Sequence, residues 1–538
     1  MISALLVAIG LTIGLSPDLQ VSYKIDFRLD TVNHKLYGEQ TVRFFNPTSE
    51  SIERIAFHLY PNAFSDTNSA YCAEDGRVKA DVASGNISRL DVSEIFISGR
   101  AVDSGMVETK GTLMYITLRD ELPPGRDLEI DLKFELVIPR AKVRFGHDGK
   151  GDYLLSHWYP IICGYQKGEL IDREYHANSE FFSNFGSYDV TMRLPSDYVV
   201  GATGILDLID ENDSISVWHA VADTVIDFAF ACGANFEIFR ADTLGIDIEY
   251  LLNKENTGLL ERINDITKYS LAYCSERLFE YPYDNFTLVD FECGSAGLEL
   301  PGMIVVSFDD PGRVESVRRT ESLIAHEAAH MWFYGTIATN ETDEPWLDEG
   351  LTSYYTGKIM TARDKTPEFS VLGYDISLDK LSRIFALSRG ISFPIDLASY
   401  DYPDWFEYES AVYTRAEMTL QCLEIVIGDS TFAKALKGYA RKYRFGHPDS
   451  DDFKKAISSY SEKDLSGFYS QFVSGTSRVD YAVTGMLYEK IEDEIQRYKV
   501  TVTLRRNHDG ILPQTVSVRL DDGSVMDTVW DGYSRVAR

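Results

Sequence analysis

The spacing of apolar residues changes twice along this chain, and the two changes limit the folds open to it. Over residues 21–247 apolar and polar residues alternate with period two, as in residues 111–118 and 127–137, with Gly and Pro between the runs. Near Thr257 the spacing becomes helical, and from about Tyr481 period two returns. A chain of 538 residues is too long for one hydrophobic core. We therefore predict a multidomain α+β protein.

The helical spacing after Thr257 is carried by apolar residues three and four apart, which predicts a long amphipathic helix; these residues are Leu259, Leu260, Ile263, Ile266, Leu271, Cys274 and Leu278. Two runs with strand-like composition follow, at residues 286–291 and 303–307. The chain is then predicted to be helical to about Val473. Pro345, preceded by two acidic residues, is typical of a helix start.

The net charge of -32 excludes some partners. Nucleic-acid binding and docking on anionic membranes both require clustered Lys and Arg, so neither is expected. An acidic surface keeps a protein soluble, and its field also favours substrates that carry a free amine. The six cysteines are scattered without a C-x-x-C pair, so a cysteine-based zinc site or redox motif is not indicated. We expect most of these cysteines to be buried thiols. The alternative is that two of them form one disulfide bond.

The N-terminus resembles the apolar core of a signal peptide. Residues 2–15 are almost wholly apolar and too short to span a bilayer, and small residues near Gly14 suit a signal peptidase. Against cleavage, no Lys or Arg precedes the run and Pro17 follows it. We expect residues 1–16 to be a signal peptide of an exported protein, periplasmic or secreted. The alternative is an apolar segment packed on a cytoplasmic protein. No other stretch reads as transmembrane.

Residues 326–330 read His-Glu-Ala-Ala-His within a largely apolar run. On a helix, residues four apart share a face, so His326 and His330 can bind one metal ion. Glu327 follows the first histidine, where it can take a proton from the attacking water. The alternative is a pair of solvated helical histidines without a metal.

A catalytic zinc ion takes three protein ligands and keeps a fourth position open. Eighteen residues separate His330 from Glu349, which lies in the sequence Trp-Leu-Asp-Glu-Gly. A carboxylate on this next helix can return to the metal. Asp348 is a rival ligand, because it lies about 100° away around the helix and only one of the two can face the ion. The motif alone does not decide between them.

The chain carries H-E-x-x-H and, after eighteen further residues, the Glu of W-L-x-E-G. This pattern resembles the gluzincin aminopeptidases of the aminopeptidase N type. In that family the Glu of W-L-x-E-G is the third ligand, which implies Glu349 and one Zn²⁺ ion. The resemblance runs from about residue 21 to 475. It implies an N-terminal antiparallel β-saddle domain (residues 17–245) and a thermolysin-like α/β catalytic domain (246–476). The return of period two predicts a short or incomplete C-terminal β module (477–538).

The family also carries a G-x-M-E-N motif whose Glu holds the free α-amine of the substrate. The matching segment here is Gly-Leu-Glu-Leu-Pro at residues 297–301, which implies Glu299 as the amine anchor. Leu298 and Leu300 replace the usual Met and Asn, which weakens the case for strict exopeptidase action. The alternative for Glu299 is a solvated loop carboxylate. The strand predicted at residues 303–307 is a candidate to pair with an extended substrate.

The segment Tyr408-Glu-Ser-Ala-Val-Tyr413-Thr-Arg-Ala resembles the family pattern Y-x-x-x-x-Y-x-K-G. The match implies that Tyr413 stabilises the tetrahedral intermediate, since a phenol can donate a hydrogen bond to a developing oxyanion. Tyr408 is a candidate substrate-binding residue in the same pocket. The chain holds 32 tyrosines, and the alternative for either residue is core packing.

Together these residues predict a zinc metallopeptidase, most simply an aminopeptidase acting on peptides with a free N-terminus. Three alternatives stay open at this point. One keeps the zinc but changes the reaction, to an endopeptidase or an epoxide-opening hydrolase. The second is a non-catalytic scaffold, and the third is a structural β-sandwich protein with an accidental helix motif. The oligomeric state is not indicated.

Overall fold

The computed structural model describes residues 21–178, 180–308, 314–363, 369–371, 374–376, 390, 392–491, 498–520 and 523–538. The signal peptide predicted at residues 1–16 lies outside the described residues. The chain divides into two compact units. In the described chain the first holds residues 21–177, 182–264 and 282–324, and the second holds 178, 180–181, 265–281 and 325–538. The boundaries proposed from the sequence, at residues 245 and 476, stay a prediction.

The largest sheet of the first unit has eight strands and one buried face. In spatial order the strands are Ile205–Glu211, Ile215–Val225, Gly186–Pro195, Val21–Asp30, Lys35–Phe45, Asp127–Val137, Arg89–Ile97 and Arg100–Ala101. Buried residues alternate with more exposed ones along Val21–Asp30, as the period-two pattern predicts. The sheet is not wholly antiparallel, because Val21–Asp30 runs parallel to Gly186–Pro195. A period of two is the same for both orientations, so the sequence could not reveal this pairing.

The other strands that precede residue 234 form three smaller sheets. One orders Val199–Ala202, Phe230–Gly233, Tyr153–Leu155 and Gly146–His147, and another orders Ile161–Ile162, Ile52–His58, Leu113–Leu122 and Val107–Lys110. The third is the hairpin Tyr165–Gln166 with Glu169–Leu170. Short helices at Tyr60–Phe64, Ala70–Glu74, Gly76–Ala83 and Ser104–Met106 connect these strands.

A mixed five-stranded sheet also belongs to the first unit, in the order Phe236–Thr243, Ile246–Asn253, Asn285–Asp290, Met303–Val306 and Gly297–Leu300. Met303–Val306 pairs in parallel with Asn285–Asp290 on one side and antiparallel with Gly297–Leu300 on the other. Both edges of the strand Met303–Val306 are therefore hydrogen-bonded to neighbouring strands. The prediction that the strand at residues 303–307 pairs with substrate is wrong; the strand at this edge of the sheet is Gly297–Leu300.

The second unit is mostly helical. Among its described residues the helices are Trp346–Arg363, Trp405–Glu409, Ala416–Ile427, Asp429–Lys442, Ser450–Tyr460 and Ser466–Phe472, with a π-helical turn at Ser410–Arg415 and a 3₁₀ turn at Ser399–Asp401. The helices Leu260–Arg277, which follows a 3₁₀ turn at Lys254–Leu259, and Val314–Ala329 have residues in both units. A short hairpin joins Phe369–Val371 to Tyr374–Ile376.

The C-terminal strands form two small sheets, as the return of period two predicts. One contains Tyr481–Lys490, Tyr498–Arg506 and Val536–Ala537, and the other pairs Gln514–Arg519 with Val525–Trp530. All six cysteines are free thiols, and five of them are buried. Among the described helices, none combines the length and the hydropathy needed to cross a membrane.

Candidate metal centre

The two histidines of the H-E-x-x-H motif lie at the end of the helix Val314–Ala329. The backbone N–H of His330 donates to the carbonyl of His326 at 3.2 Å, so the α-helical turn continues through the second histidine. Both rings therefore project from one face, with ring centroids 4.8 Å apart. Ala325, Ala328 and Ala329 are fully buried, which explains why the residues around the histidines are small and apolar.

Glu349 lies one turn into the helix Trp346–Arg363. The backbone N–H groups of Asp348 and Glu349 both donate to the carbonyl of Pro345, at 3.2 and 3.1 Å. The buried indole of Trp346 donates to Ser450 Oγ at 3.0 Å, which anchors the first residue of the helix. The start of the helix is thus held firmly, and the position of Glu349 follows from it.

The glycine that follows Glu349 has a packing reason. A Cβ at Gly350 would lie 2.6 Å from the Cβ of Ala416 and 3.5 Å from the carbonyl oxygen of Val412. The distance of 2.6 Å between the two Cβ atoms is shorter than real Cβ contacts allow. The absence of a side chain therefore lets the helix Trp346–Arg363 lie directly against the segment that carries Tyr413.

Three donor atoms converge at one point. His326 Nε2 lies 3.2 Å from His330 Nε2, and Glu349 Oε2 lies 3.1 Å from His326 Nε2 and 3.4 Å from His330 Nε2. Tetrahedral zinc with bonds of about 2.0–2.1 Å places its ligand atoms about 3.3 Å apart. The side chains of His330 and Glu349 are only 1% and 4% exposed, against 15% for His326. The spacing and chemistry of this donor set fit one zinc ion.

Hydrogen bonds at the opposite nitrogens leave both Nε2 atoms available to a metal. His326 Nδ1 lies 3.3 Å from Thr356 Oγ1, whose hydroxyl donates to the carbonyl of Thr352 at 2.8 Å, so the imidazole is the donor. His330 Nδ1 lies 2.9 Å from Asp348 Oδ1, and a carboxylate can only accept. With hydrogen on each Nδ1, each Nε2 keeps its lone pair.

The electrostatics of the centre favour a cation. Burial alone would lower the pKa of His330, but the charges of Asp348 and Glu349 outweigh it and raise the pKa well above its ordinary value. Burial raises the pKa of Glu349, but the imidazoles of His330 and His326 lower it more, and the pKa of that carboxyl lies well below its usual range. Both pKa shifts therefore favour positive charge beside Glu349, carried by a proton on His330 when no metal ion is bound.

Glu327 lies in the same centre and is 4% exposed. One of its carboxylate oxygens and a ring nitrogen of His330 lie within 4.8 Å of each other. A group at that distance can reach a water molecule beside the ion. The structure thus places Glu327 beside one of the two histidines of its motif, and its role as a general base stays a prediction.

Tyr413 reaches the centre from the π-helical turn Ser410–Arg415, a rare geometry that often marks a functional position. Its phenol donates to Glu349 Oε1 at 2.5 Å, and its ring stacks on His326 with centroids 6.0 Å apart. Tyr408 differs from the expectation of a substrate-binding residue, because its side chain is fully buried. It packs in a cluster with Tyr402, Ala411 and Val412, behind Tyr413.

Glu299 belongs to the first unit and lies on the strand Gly297–Leu300 rather than in a loop. Leu298 and Leu300 point to the other face and enter a buried apolar cluster, which gives a physical reason for the two residues that depart from the family pattern. Glu299 is 6% exposed, and its Oε1 accepts a hydrogen bond from Arg144 Nη1 at 3.2 Å.

Sequence reasoning missed Arg144 and Thr356, which contact predicted residues, and named Asp348 only as a rival ligand. Arg144 stands in no motif, and its left-handed backbone, with φ of 75°, has no sequence signal in a non-glycine residue. Thr356 lies seven positions after Glu349. Residues seven apart lie two turns along the same face of a helix, and this periodicity is the one sequence signal that could have indicated Thr356. Asp348 was weighed as a ligand, whereas it contacts the far nitrogen of His330.

In sequence comparisons, part of the chain is similar to known peptidases. Residues 264–472 match the model of the Peptidase family M1 domain. The chain is 31% identical to "Leucine aminopeptidase 2" of Ajellomyces capsulatus over 172 residues, which are 31% of this chain and 27% of that protein. It is 26% identical to "Aminopeptidase N" of Lactococcus lactis over 192 residues, 34% of this chain and 22% of that protein. The matches thus span about a quarter of the length of these curated relatives.

Two solved structures share the fold. The M1 zinc metallopeptidase of Deinococcus radiodurans superposes with a TM-score of 0.61 at 14% identity, covering 86% of this chain and 95% of that one. Aminopeptidase A of Legionella pneumophila, solved with aspartic acid, gives a TM-score of 0.67 at 13% identity, covering 96% of this chain and 57% of that one. The predicted multidomain α+β class is confirmed by these likenesses.

Proposed function

We propose that this chain, which contains a Peptidase family M1 domain at residues 264–472, is a zinc-dependent aminopeptidase. One observation carries the proposal: His326 Nε2, His330 Nε2 and Glu349 Oε2 lie 3.1–3.4 Å from one another in a largely buried site. Two neutral imidazoles and one carboxylate are a donor set of catalytic zinc enzymes. The names of the curated relatives, aminopeptidases of several kinds, support the same reaction class.

In this proposal the side chains around the ion divide the work of hydrolysis. A zinc ion held there supplies a Lewis acid that polarises the scissile carbonyl and makes water more acidic. Glu327 takes a proton from the attacking water and delivers it to the nitrogen of the leaving amine. Tyr413 donates a hydrogen bond to the oxyanion that develops on the former carbonyl oxygen.

Glu299 makes the enzyme an exopeptidase in this proposal. Its carboxylate pairs with the α-ammonium group of the substrate, so that cleavage falls after the first residue. Arg144 holds one oxygen of this carboxylate and limits its rotation. The net charge of -32 adds a field that attracts peptides with a free amine.

The test combines metal analysis with two substrate series. Purified protein is expected to contain about one zinc per chain and to release the fluorophore from aminoacyl amides. The same amides with an N-acetyl group are expected to be poor substrates. The matched variant His330→Ala should lose both zinc and turnover. Equal hydrolysis of blocked and free substrates would contradict an aminopeptidase and favour an endopeptidase, and full turnover by a metal-free protein would contradict the zinc mechanism.

A further inference from the structure

The far side of the His330 ring contacts a buried carboxylate. Asp348 Oδ1 lies 2.9 Å from His330 Nδ1, and the two side chains are 0% and 1% exposed. Such a bond is charge-assisted and shielded from solvent, so it is short and directional. It lies at the opposite edge of the imidazole from Nε2, which faces Glu349 Oε2 at 3.4 Å.

Adjacent residues of one helix thus contact the two nitrogens of one histidine. Asp348 and Glu349 differ by about 100° around the helix axis, which puts them on opposite sides of the ring. Glu349 takes the side of the metal, and Asp348 takes the side behind His330. Each of the two carboxylates therefore contacts a different nitrogen of His330, and this arrangement favours Glu349 as the ligand.

We propose that Asp348 is a positioning residue for the metal centre: its carboxylate fixes the orientation and tautomer of His330 and offsets part of the charge of the bound ion. The inference rests on the proposed function, since zinc is the ion concerned. Together with Glu349, Asp348 supplies two negative charges around a divalent cation. That balance lowers the cost of burying the ion in an apolar part of the protein.

The two histidines are supported unequally, which allows a sharp test. His326 Nδ1 has the neutral hydroxyl of Thr356 as its partner. His330 Nδ1 has, besides Asp348, the carbonyl oxygen of Phe333 at 3.1 Å and Thr352 Oγ1 at 3.2 Å. Without Asp348 an acceptor for the Nδ1 hydrogen would remain, but the negative charge would be lost. Asp348→Asn keeps the volume and an acceptor oxygen, whereas Asp348→Ala removes both.

The measurement is the zinc dissociation constant of the full-length protein, obtained by competition with a chromophoric chelator. We expect Asp348→Asn to bind zinc about tenfold more weakly than wild type and Asp348→Ala up to about a hundredfold more weakly, the range found for partners of metal-bound histidines. Asp290→Asn is the matched control: it makes the same change from a buried carboxylate to an amide, at a carboxylate bonded to Asn253 and Asn256 rather than to a histidine. Its zinc affinity is expected to equal that of wild type, whatever the change in its thermal midpoint.

A second readout separates positioning from a purely structural role. With Co²⁺ as the probe, the visible absorption bands report the ligand field, and both Asp348 variants are expected to shift them while Asp290→Asn does not. If Asp348→Ala fails to fold, Asp348→Asn decides alone. Wild-type zinc affinity and an unshifted Co²⁺ spectrum in Asp348→Asn would overturn the inference and leave the proposed function standing. A wild-type protein that binds no zinc would overturn both.

Discussion

The phenol oxygen of Tyr413 lies 2.5 Å from Oε1 of Glu349, while Oε2 of the same carboxylate faces the two imidazoles. One side chain thus joins the metal centre to the tyrosine expected to act in catalysis. In the proposed mechanism, the phenol would have to leave Glu349 in order to donate a hydrogen bond to the oxyanion.

Tyr413→Phe separates these two contacts. If the phenol acts on the oxyanion, kcat should fall by about a hundredfold or more, the scale of a lost oxyanion-hole donor, with little change in KM. Zinc content should stay near that of wild type, because the three ligands are intact. Steady-state kinetics and metal analysis of one preparation check both. A variant with normal kcat but weak zinc binding would assign Tyr413 to the support of Glu349 alone.

Glu327→Gln removes the proposed general base but keeps the shape of the side chain. We expect zinc to be retained and kcat to fall at least about a hundredfold. The reason is that an amide cannot take a proton from the attacking water. Turnover with an aminoacyl amide and zinc content are measured together. Near-normal turnover would remove Glu327 from the mechanism.

Glu299→Gln tests the recognition of the substrate amine. The amide keeps an oxygen for Arg144, so the local structure should survive. Loss of the charge should lower kcat/KM for free-amine substrates by about ten- to a hundredfold, the value of a hydrogen bond to a charged group. N-acetylated substrates serve as the internal control and should change little. A parallel loss on both series would argue against an amine anchor.

Zinc affinity should rise with pH across the neutral range. The pKa of His330 in the metal-free fold is raised above its ordinary value by Asp348 and Glu349, so zinc must displace a proton there. Each pH unit below that pKa should weaken apparent binding by about tenfold, and the dependence should level off above it. The folding stability of the metal-free protein should change with pH in the opposite direction to zinc affinity. The contribution of protonated His330 to the free energy of unfolding is present at low pH and is lost as the pH rises through the raised pKa. Calorimetry in buffers of different ionisation enthalpy counts the proton, and pH-independent affinity would contradict the account.

Gly350→Ala should destabilise the second unit, although alanine is the better helix former. In an open helix the change would gain about 1 kcal/mol. Here the new Cβ would meet Ala416 Cβ at 2.6 Å, and overpacking costs about 1–3 kcal/mol. Adding Ala416→Gly should relieve the clash and recover part of the unfolding free energy. Gly467→Ala is the control, since nothing lies within 4 Å of its Cβ position. A Gly350→Ala variant as stable as Gly467→Ala would contradict the packing.

Local pattern was sufficient for much of this molecule. The strand Asp127–Val137 alternates as the sequence does, and the helix Leu260–Arg277 follows the apolar spacing that predicts it. The convergence of His326, His330 and Glu349 was predictable as well, because a turn of helix fixes the first pair and the family resemblance supplied the third residue. The roles assigned to these residues stay predictions.

Contacts between distant segments were not predictable. The parallel pairing of Val21–Asp30 with Gly186–Pro195 depends on chain topology, which a local period does not contain. The strand Gly297–Leu300 is too short for a periodic signal and begins with a glycine. Arg144 meets Glu299 across 155 positions of sequence, and no single-sequence pattern links two such residues. The burial of Tyr408 likewise depends on packing rather than on its motif.

The central claim is that one zinc ion lies between His326, His330 and Glu349. Anomalous diffraction at the zinc absorption edge, on crystals of the zinc-loaded protein, tests it most directly. The account predicts a single strong peak about 2.0–2.2 Å from His326 Nε2, His330 Nε2 and Glu349 Oε2, with Asp348 on the far side of His330. A peak bound by Asp348 in place of Glu349, or the absence of any peak between the two imidazoles, would contradict it.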